Sequence, residues 1–193
     1  VEFKLNDQRV QAYEGETILK AAQRHGVDIP HLCYKDGLRP DGNCRACVVE
    51  IKGERTLAPS CCRTATAGLE VLVSDRAVKS QKMVLEMLLS DMPDTGYKWN
   101  DGASTSSAAS LAAATGDAGG GDHGAAGQHG ELSDWASRMD VTVRPELQAL
   151  RREQPACDVS HPAMAVNLDA CIQCNRCVRA CREEQVNDVI GYA

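Results

Sequence analysis

The chain has 193 residues, a formal net charge of −6 and an apolar fraction of 43%, and aromatic residues make up only 4%. The negative charge argues against nucleic acid as a partner, because phosphate binding requires a basic surface. No apolar run approaches the roughly 18 residues of a membrane span, and no apolar signal-peptide segment is evident, so neither is expected.

Residues 1–75 predict a compact domain of strands and a helix with a mostly aliphatic core. Apolar and polar residues alternate from the first residue. The alternation stops at Asn6-Asp7 and then resumes, which indicates a hairpin. Thr17 is a suitable N-cap and Gly26 a suitable residue to end a helix, so a short helix is expected between them.

A glycine-rich loop then leads into a predicted strand at residues 47–51, and a strand at 69–73 closes the domain. Helical periodicity resumes at residues 77–93, within a second segment, 76–101, made of this helix and a connection. The apolar residues of the helix are predicted to share one face: Val78, Met83, Val84, Met87 and Leu88.

Residues 102–130 change composition abruptly, since 21 of these 29 residues are Gly, Ala or Ser and none is Lys or Arg. Such a segment cannot bury enough apolar surface to fold alone, so we interpret it as a flexible linker. His123 and His129 lie within it, and solvated linker residues are a better interpretation than metal ligands.

Residues 131–193 form the last predicted part, a helical segment followed by a dense cysteine run. The stretch ELSDWASRMDV suits a helix with three residues inward, and RPELQALRREQP suits a second helix with Pro145 in its first turn. The inward residues of the first helix are Leu132, Trp135 and Met139.

The ten cysteines fall into two groups, at residues 33–62 and 157–181. Close spacing in a chain without an export signal is more typical of metal ligands than of disulfides. The first group has the spacing C-x10-C-x2-C-x13-C. Structural zinc sites usually have two C-x2-C pairs, whereas this group has one, so the spacing favours a 2Fe–2S cluster over zinc. Its cysteines are Cys33, Cys44, Cys47 and Cys61.

The second group contains CIQCNRCVRAC, the C-x2-C-x2-C-x3-C run of bacterial ferredoxins. In two-cluster ferredoxins the fourth cysteine of such a run binds the other cluster. We therefore expect Cys171, Cys174 and Cys177 to hold one 4Fe–4S cluster and Cys181 to reach a neighbouring one. Only one run is present, so the first half of a ferredoxin domain is expected here and the remainder beyond residue 193.

Residues 1–51 (VEFKLNDQRV to CRACVVEI) resemble the N-terminal ferredoxin-type domain of three related groups of proteins. These are the large iron–sulfur subunit of respiratory complex I, NAD-linked hydrogenases, and alpha subunits of NAD-dependent formate dehydrogenases. The resemblance implies a β-grasp 2Fe–2S domain and, for the whole chain, an α+β fold class. It also implies Cys61 as the fourth 2Fe–2S ligand, seven residues before Gly68, with Cys62 as the rival.

The terminal stretch CIQCNRCVRACREEQVNDVIGYA resembles most closely the alpha subunits of molybdenum- or tungsten-containing, NAD-dependent formate dehydrogenases. Complex I relatives carry a His-plus-three-Cys cluster site between the two modules. Here Met92 stands in place of the His and Gly130 in place of the third Cys, so that cluster is expected to be absent.

The resemblance implies an electron relay in a cytoplasmic formate dehydrogenase. Formate would be oxidised at a molybdopterin-type cofactor with Mo or W in the remainder of the same subunit, and electrons would pass to FMN and NAD on a partner subunit. No catalytic residue is expected in this segment. The same relay in an NAD-linked hydrogenase or another complex I relative remains an alternative, as does a non-enzymatic, zinc-stabilised interaction module. Three arginines near the last cysteines could offset cluster charge or simply be exposed on a helix: Arg176, Arg179 and Arg182.

Overall fold

A computed structural model describes residues 1–92, 130–151, 153, 158–166, 168 and 171–191. The predicted linker therefore lies outside the described residues, apart from Gly130, as do the connection from residue 93 to 101 and Cys157. The described residues belong to two units. The first contains Val1–Glu86 together with Gln173–Ala193, and the second contains Met87–Ile172.

The first unit begins with the predicted hairpin. Strands β1 (Glu2–Leu5) and β2 (Gln8–Gln11) pair antiparallel. Asn6 and Asp7 connect them with φ angles of 49° and 65°. Two successive residues with positive φ match the twist of the flanking strands, and Asn and Asp tolerate that conformation better than most residues. The predicted hairpin and its turn are confirmed.

Helix α1 (Ile18–Arg24) follows, with the caps that the sequence predicts. Thr17 Oγ1 accepts a hydrogen bond from the backbone N–H of Lys20 at 3.4 Å. Gly26 lies just beyond the helix with a φ of 74°, a conformation that costs glycine little. The apolar face of α1 is buried: Ile18, Leu19, Ala21 and Ala22.

Three further strands complete a five-stranded mixed sheet, β3 (Val48–Ile51), β4 (Ala58–Pro59) and β5 (Glu70–Leu72), in the order β2-β1-β5-β3-β4. The pair β1–β5 is parallel and the other neighbouring pairs are antiparallel. The predicted strands at 47–51 and 69–73 are confirmed to within about one residue at each end. Strand β4 was not predicted, because two residues carry no alternation.

The core of this sheet and helix is mostly aliphatic, as the aromatic-poor composition predicts. Burying such side chains stabilises the fold by about 25 cal/mol per Å² of apolar surface removed from water. The largest fully buried apolar side chains of the cluster are Phe3, Leu5, Ile18, Leu19, Ile29, Val49, Ile51 and Val71.

Helix α2 (Asp75–Ser90) buries a different face from the one that the sequence predicts. Ala77, Gln81 and Leu85 are buried at a spacing of four residues, whereas Met83 and Met87 are 47% and 58% exposed. The apolar face that the sequence marks is therefore not the buried face of the helix. The reason is Gln81, whose Nε2 donates to the carbonyl oxygen of Val48 at 2.8 Å and so occupies a core-facing position that hydrophobicity does not mark.

The second unit contains two short helices and a hairpin. Helix α3 (Glu131–Arg138) buries Leu132, as predicted, but Trp135 and Met139 are only half-buried. Helix α4 (Pro145–Gln148) begins at the predicted proline. Strands β6 (Asp158–His161) and β7 (Met164–Val166) form an antiparallel hairpin, which was not predicted from the sequence.

The last described residues return to the first unit. Helix α5 (Arg176–Arg179) continues into a π-helical turn, Ala180–Glu184. None of the helices in the described ranges has both the length and the apolarity needed to cross a membrane. The mixed sheet with helices confirms the α+β prediction for the first domain, while the ferredoxin half-domain predicted around these last residues stays a prediction.

Candidate metal centre

The first four cysteines lie on the segments that flank β3 and β4. Cys33 and Cys44 lie on the loop between α1 and β3, Cys47 directly precedes β3, and Cys61 follows β4. Cys33, Cys47 and Cys61 are almost completely buried, and Cys44 is half-buried. The fold thus places four thiols that span 29 positions of sequence at one end of the sheet.

Hydrogen bonds between backbone segments fix where Cys47 and Cys61 lie. Ser60, which is buried, donates from both its backbone N–H and its Oγ to the carbonyl oxygen of Cys47, at 3.1 and 2.7 Å. The first N–H groups of α1, those of Ile18 and Leu19, donate to the carbonyl oxygens of Arg63 and Ser60 at 2.8 and 3.0 Å. The otherwise unpaired N–H groups of a helix start therefore hold the segment that carries Cys61.

The loop between Cys33 and Cys44 is closed by its own cysteines. The backbone N–H of Cys33 donates to Sγ of Cys44, and the N–H of Cys44 donates to Sγ of Cys33, each over 3.5 Å. Gly42 has a φ of 65°, and a Cβ at that position would lie 2.9 Å from Sγ of Cys62, so only glycine fits there. Glycine at this position therefore lets the loop backbone approach the segment that carries Cys61 and Cys62.

The four thiols interact as one group. A hydrogen bond from Cys44 holds the pKa of the Cys33 thiol well below its usual range, and the same contact raises the pKa of Cys44. A hydrogen bond from Cys61 lowers the pKa of Cys47, whereas contacts with Cys33 and then with Cys47 raise the pKa of Cys61. The contacts among these thiols thus link the pKa of each one to its neighbours.

Cys61 and Cys62 differ sharply in environment. Cys61 is 0% exposed and contacts the thiols of Cys33 and Cys47. Cys62 is exposed, and its Sγ lies 3.6 Å from Sγ of Cys61. The difference favours Cys61 as the fourth ligand, and the assignment stays a prediction.

The donor set fits a 2Fe–2S cluster in its chemistry. Four cysteine thiols are the usual ligands of such a cluster, and soft thiolates select iron–sulfur clusters, zinc or copper(I). Within the described residues, no group of three or more His, Cys, Asp or Glu side chains is arranged to hold a single metal ion. The residues that would hold a 2Fe–2S cluster are the four thiols in mutual contact, with backbone N–H groups directed at two of them.

The cysteines of the second run differ in burial and in the unit to which they belong. Cys171 is exposed and belongs to the second unit, while the other three cysteines belong to the first. Cys174 is half-buried and Cys177 is exposed. Cys181 is buried on the π-helical turn, where its Sγ accepts a hydrogen bond from the N–H of Val189 at 3.4 Å. The assignment of these cysteines to 4Fe–4S clusters stays a prediction.

The three arginines near this run have three different environments. Arg182 is exposed and pairs with Asp188, and Arg176 is half-buried. Arg179 is only 4% exposed, so the interpretation of this residue as an exposed helix arginine is wrong. Nothing in the hydrophobic pattern marks it, because a charged residue between two cysteines normally faces solvent.

The N-terminal part of the chain matches a known protein family. Residues 1–76 match the family model described as a 2Fe-2S iron-sulfur cluster binding domain. The matched residues include Cys33, Cys44, Cys47 and Cys61.

Curated relatives match nearly the whole chain. An NADH-quinone oxidoreductase subunit of Rhizobium meliloti (strain 1021) is 30% identical over 188 residues, covering 95% of this chain and 19% of the relative. The NADP-reducing hydrogenase subunit HndD of Solidesulfovibrio fructosivorans is also 30% identical over 188 residues, covering 92% of this chain and 27% of the relative. The Bacillus subtilis (strain 168) protein YrhE, whose name provisionally assigns it as a formate dehydrogenase, is 25% identical over 99% of this chain and 17% of the relative.

Among solved structures, the crystal structure of an NAD+-reducing [NiFe]-hydrogenase in the H2-reduced state matches with a TM-score of 0.68 and 28% identity. The match covers all of this chain and 70% of the hydrogenase chain. The present chain spans about a quarter or less of the length of the three curated relatives.

Proposed function

We propose that the chain, whose residues 1–76 are a 2Fe–2S ferredoxin-like domain, is the iron–sulfur electron-relay part of an NAD-linked oxidoreductase. The relatives that it matches include subunits of NADH-quinone oxidoreductase and of an NADP-reducing hydrogenase. The observation that carries the proposal is the group of four thiols on the segments flanking β3 and β4, three of which are buried.

In this proposal four cysteines hold the 2Fe–2S centre, which supplies one-electron transfer when it is bound. Cys33, Cys44, Cys47 and Cys61 would together provide the four thiolates that hold its irons. The N–H groups of Cys33 and Cys44 direct positive dipoles at sulfur, and burial excludes water from three of the thiols. Hydrogen bonds to sulfur and exclusion of solvent are two of the factors that set the reduction potential of such a centre.

The terminal cysteines extend the relay. Cys171, Cys174 and Cys177 would hold a 4Fe–4S cluster, and Cys181 would bind a neighbouring one, as the spacing of the run predicts. The remainder of the relay would lie in the rest of the same subunit and in a partner subunit that carries FMN and NAD. The segment itself would transfer electrons and make or break no bonds of the substrate.

We further propose that the parent enzyme is a cytoplasmic, NAD-dependent formate dehydrogenase with a molybdopterin-type cofactor containing Mo or W. Support comes from the terminal cysteine run and from Met92 and Gly130, which replace ligands of the middle cluster site of complex I relatives. The similarity to YrhE over 99% of the chain is consistent with this assignment.

The structural comparison favours a second candidate for the parent enzyme, an NAD-linked hydrogenase. The chain superimposes over its full length on an NAD+-reducing [NiFe]-hydrogenase, with a TM-score of 0.68. It is also 30% identical to a hydrogenase subunit over 92% of its length. An NAD-linked hydrogenase would use the same relay segment with a different catalytic domain.

The deciding experiment uses the full-length protein with its partner subunits, purified anaerobically. Paramagnetic resonance after addition of formate, H2 or NADH shows which donor reduces a 2Fe–2S signal. Reduction by formate and by NADH, but not by H2, supports the formate dehydrogenase, whereas reduction by H2 and not by formate supports the hydrogenase. A colourless protein that contains zinc and gives no signal would overturn the electron-relay proposal.

A further inference from the structure

Arg179 is buried against the loop that carries Cys33 and Cys44. Its Nη2 donates to the carbonyl oxygen of Cys33, and its Nη1 donates to that of Arg39. Its side chain is only 5% exposed, and its Nε lies 3.8 Å from Oδ2 of Asp41. One guanidinium from the last helix of the chain thus contacts three positions of a loop that is distant in sequence.

Neighbouring contacts hold this helix against the same loop. Arg176 Nη2 donates to the carbonyl oxygen of Tyr34 at 2.7 Å. At the other end of the loop, Asn43 Nδ2 donates to the carbonyl oxygen of Gln173 at 3.4 Å. The position of Arg179 is therefore set by contacts on both sides of it.

A further ion pair lies at the middle of the loop, where Arg39 pairs with Glu183 at 3.0 Å. The two residues are contributed by the loop and by the π-helical turn. The Arg39 side chain is 73% exposed, so the ion pair contributes little free energy. Its main effect is to fix how the π-helical turn packs against the loop.

The guanidinium of Arg179 carries a positive charge. A buried charge is costly unless it is paired and hydrogen-bonded. Here two carbonyl oxygens accept hydrogen bonds from the guanidinium, and the carboxylate of Asp41, which is 28% exposed, offsets its charge from 3.8 Å without a hydrogen bond to Nε. Water therefore screens the carboxylate more than it screens the guanidinium, so the positive charge is the less screened member of the pair beside Cys33.

We infer that Arg179 is a positioning residue for the 2Fe–2S centre, holding the backbone of Cys33 and raising the reduction potential of the centre. The inference rests on the proposed function of the four cysteines. Reduction adds one negative charge to the group that the thiolates hold, and net charge is one of the factors that set the potential of such groups. A fixed positive charge in a poorly screened position favours the more negative, reduced form.

The experiment is a redox titration of the full-length protein with its partner subunits, following the 2Fe–2S paramagnetic resonance signal. Arg179→Gln should lower the midpoint potential, and at a fixed solution potential the ratio of reduced to oxidised centre should fall about tenfold, equivalent to about 59 mV for one electron. Asp41→Asn should shift the potential in the opposite direction. Arg182→Gln removes the same charge from an exposed position in the next helical turn and should leave the potential unchanged.

Arg179→Lys separates charge from geometry, because lysine keeps the charge but cannot donate in the same fork to two carbonyl oxygens. It should shift the potential less than Arg179→Gln does. If Arg179→Gln loses the centre, Asp41→Asn decides: an upward shift supports the inference and an unchanged or lower potential overturns it. Potentials for Arg179→Gln equal to those of Arg182→Gln and wild type would also overturn it. A wild-type protein without a 2Fe–2S signal would instead contradict the proposed function itself.

Discussion

Cys33 and Cys44 each donate a backbone N–H to the sulfur of the other, over 3.5 Å in both directions. This reciprocal contact closes an eleven-residue separation into one compact loop. Both sulfurs receive a dipole that favours the thiolate, which is the form that binds metal. The backbone of the loop therefore holds the two cysteines in a position to bind metal. Each cysteine can be tested by substitution.

Replacing any one of Cys33, Cys44, Cys47 or Cys61 by Ser should abolish the 2Fe–2S signal in reduced protein. Serine keeps the size of the side chain but supplies a hard oxygen in place of the soft thiolate. Cys62→Ser is the matched control, since Cys62 is exposed and adjacent in sequence to the buried Cys61. Loss of the signal in Cys62→Ser, with retention in Cys61→Ser, would show that the fourth-ligand assignment is wrong.

Gln81→Leu should destabilise the first domain by about 1–3 kcal/mol. The substitution removes the donor to the carbonyl oxygen of Val48 and leaves that oxygen buried without its side-chain partner. Denaturant unfolding of the protein measures the loss. Met83→Leu on the exposed side of the same helix should change the unfolding free energy by less than about 0.5 kcal/mol. Equal effects of the two substitutions would contradict the buried role of Gln81.

Features that depend on neighbouring residues could be predicted from the sequence. The hairpin turn at Asn6-Asp7 and the caps of α1 at Thr17 and Gly26 depend on the conformational preferences of single residues, and all are present. The spacing of the first four cysteines likewise indicated that they would come together. These are local signals, or signals carried by an unusual residue type.

Features that depend on distant polar contacts could not be predicted. Gln81 reaches Val48 across 33 positions, and Arg179 reaches Cys33 across 146. Both side chains are polar and buried, so hydrophobic periodicity assigns them to the solvent side. Only the tertiary arrangement shows that each of them meets a carbonyl oxygen, and the buried face of α2 differs from the apolar face that the sequence marks.

Glu70 should make stability depend on pH below about 4.5. It pairs with Lys52 at 2.6 Å and with Lys4 at 2.9 Å, and the hydrogen bond from Lys52, followed by that from Lys4, lowers its pKa from 4.5 to about 2. A folded-state pKa below the unfolded one contributes stability that is complete above pH 4.5 and lost as pH falls through about 2. The difference in unfolding midpoint between wild type and Glu70→Gln should shrink over that range.

Salt provides the control for this effect. The pair is partly exposed, so raising the ionic strength should reduce the same difference at neutral pH. A difference between wild type and Glu70→Gln that stays constant from neutral pH down to about pH 2 would contradict a contribution from the charge.

Deleting about ten residues from the segment 102–130 should leave the iron content of the full-length protein unchanged. The composition of this segment offers no soft ligand set, and loop closure costs only about 0.6 kcal/mol per doubling of length. Iron assay of the shortened protein measures the effect. Iron bound between residues 76 and 150 would contradict the expectation that the middle cluster site, where Met92 and Gly130 stand, is absent.

In the full-length protein, Cys174→Ser and Cys181→Ser should remove two different 4Fe–4S signals. Cys181 is buried on the π-helical turn, and its carbonyl oxygen accepts a hydrogen bond from the N–H of Asn187 at 3.1 Å. Its Sγ is held by the N–H of Val189 at 3.4 Å. If Cys181 bound the 4Fe–4S cluster held by Cys171, Cys174 and Cys177, these contacts would break and the turn would unwind.

Mössbauer and paramagnetic resonance spectra of the two variants, each compared with Cys62→Ser, measure which cluster is lost. Cys174→Ser should remove the cluster held with Cys171 and Cys177, because a hard serine oxygen is a poor substitute for a soft thiolate ligand. Cys181→Ser should leave that cluster intact and remove its neighbour. Loss of one and the same signal in both variants would show that all four cysteines of the run close on a single cluster.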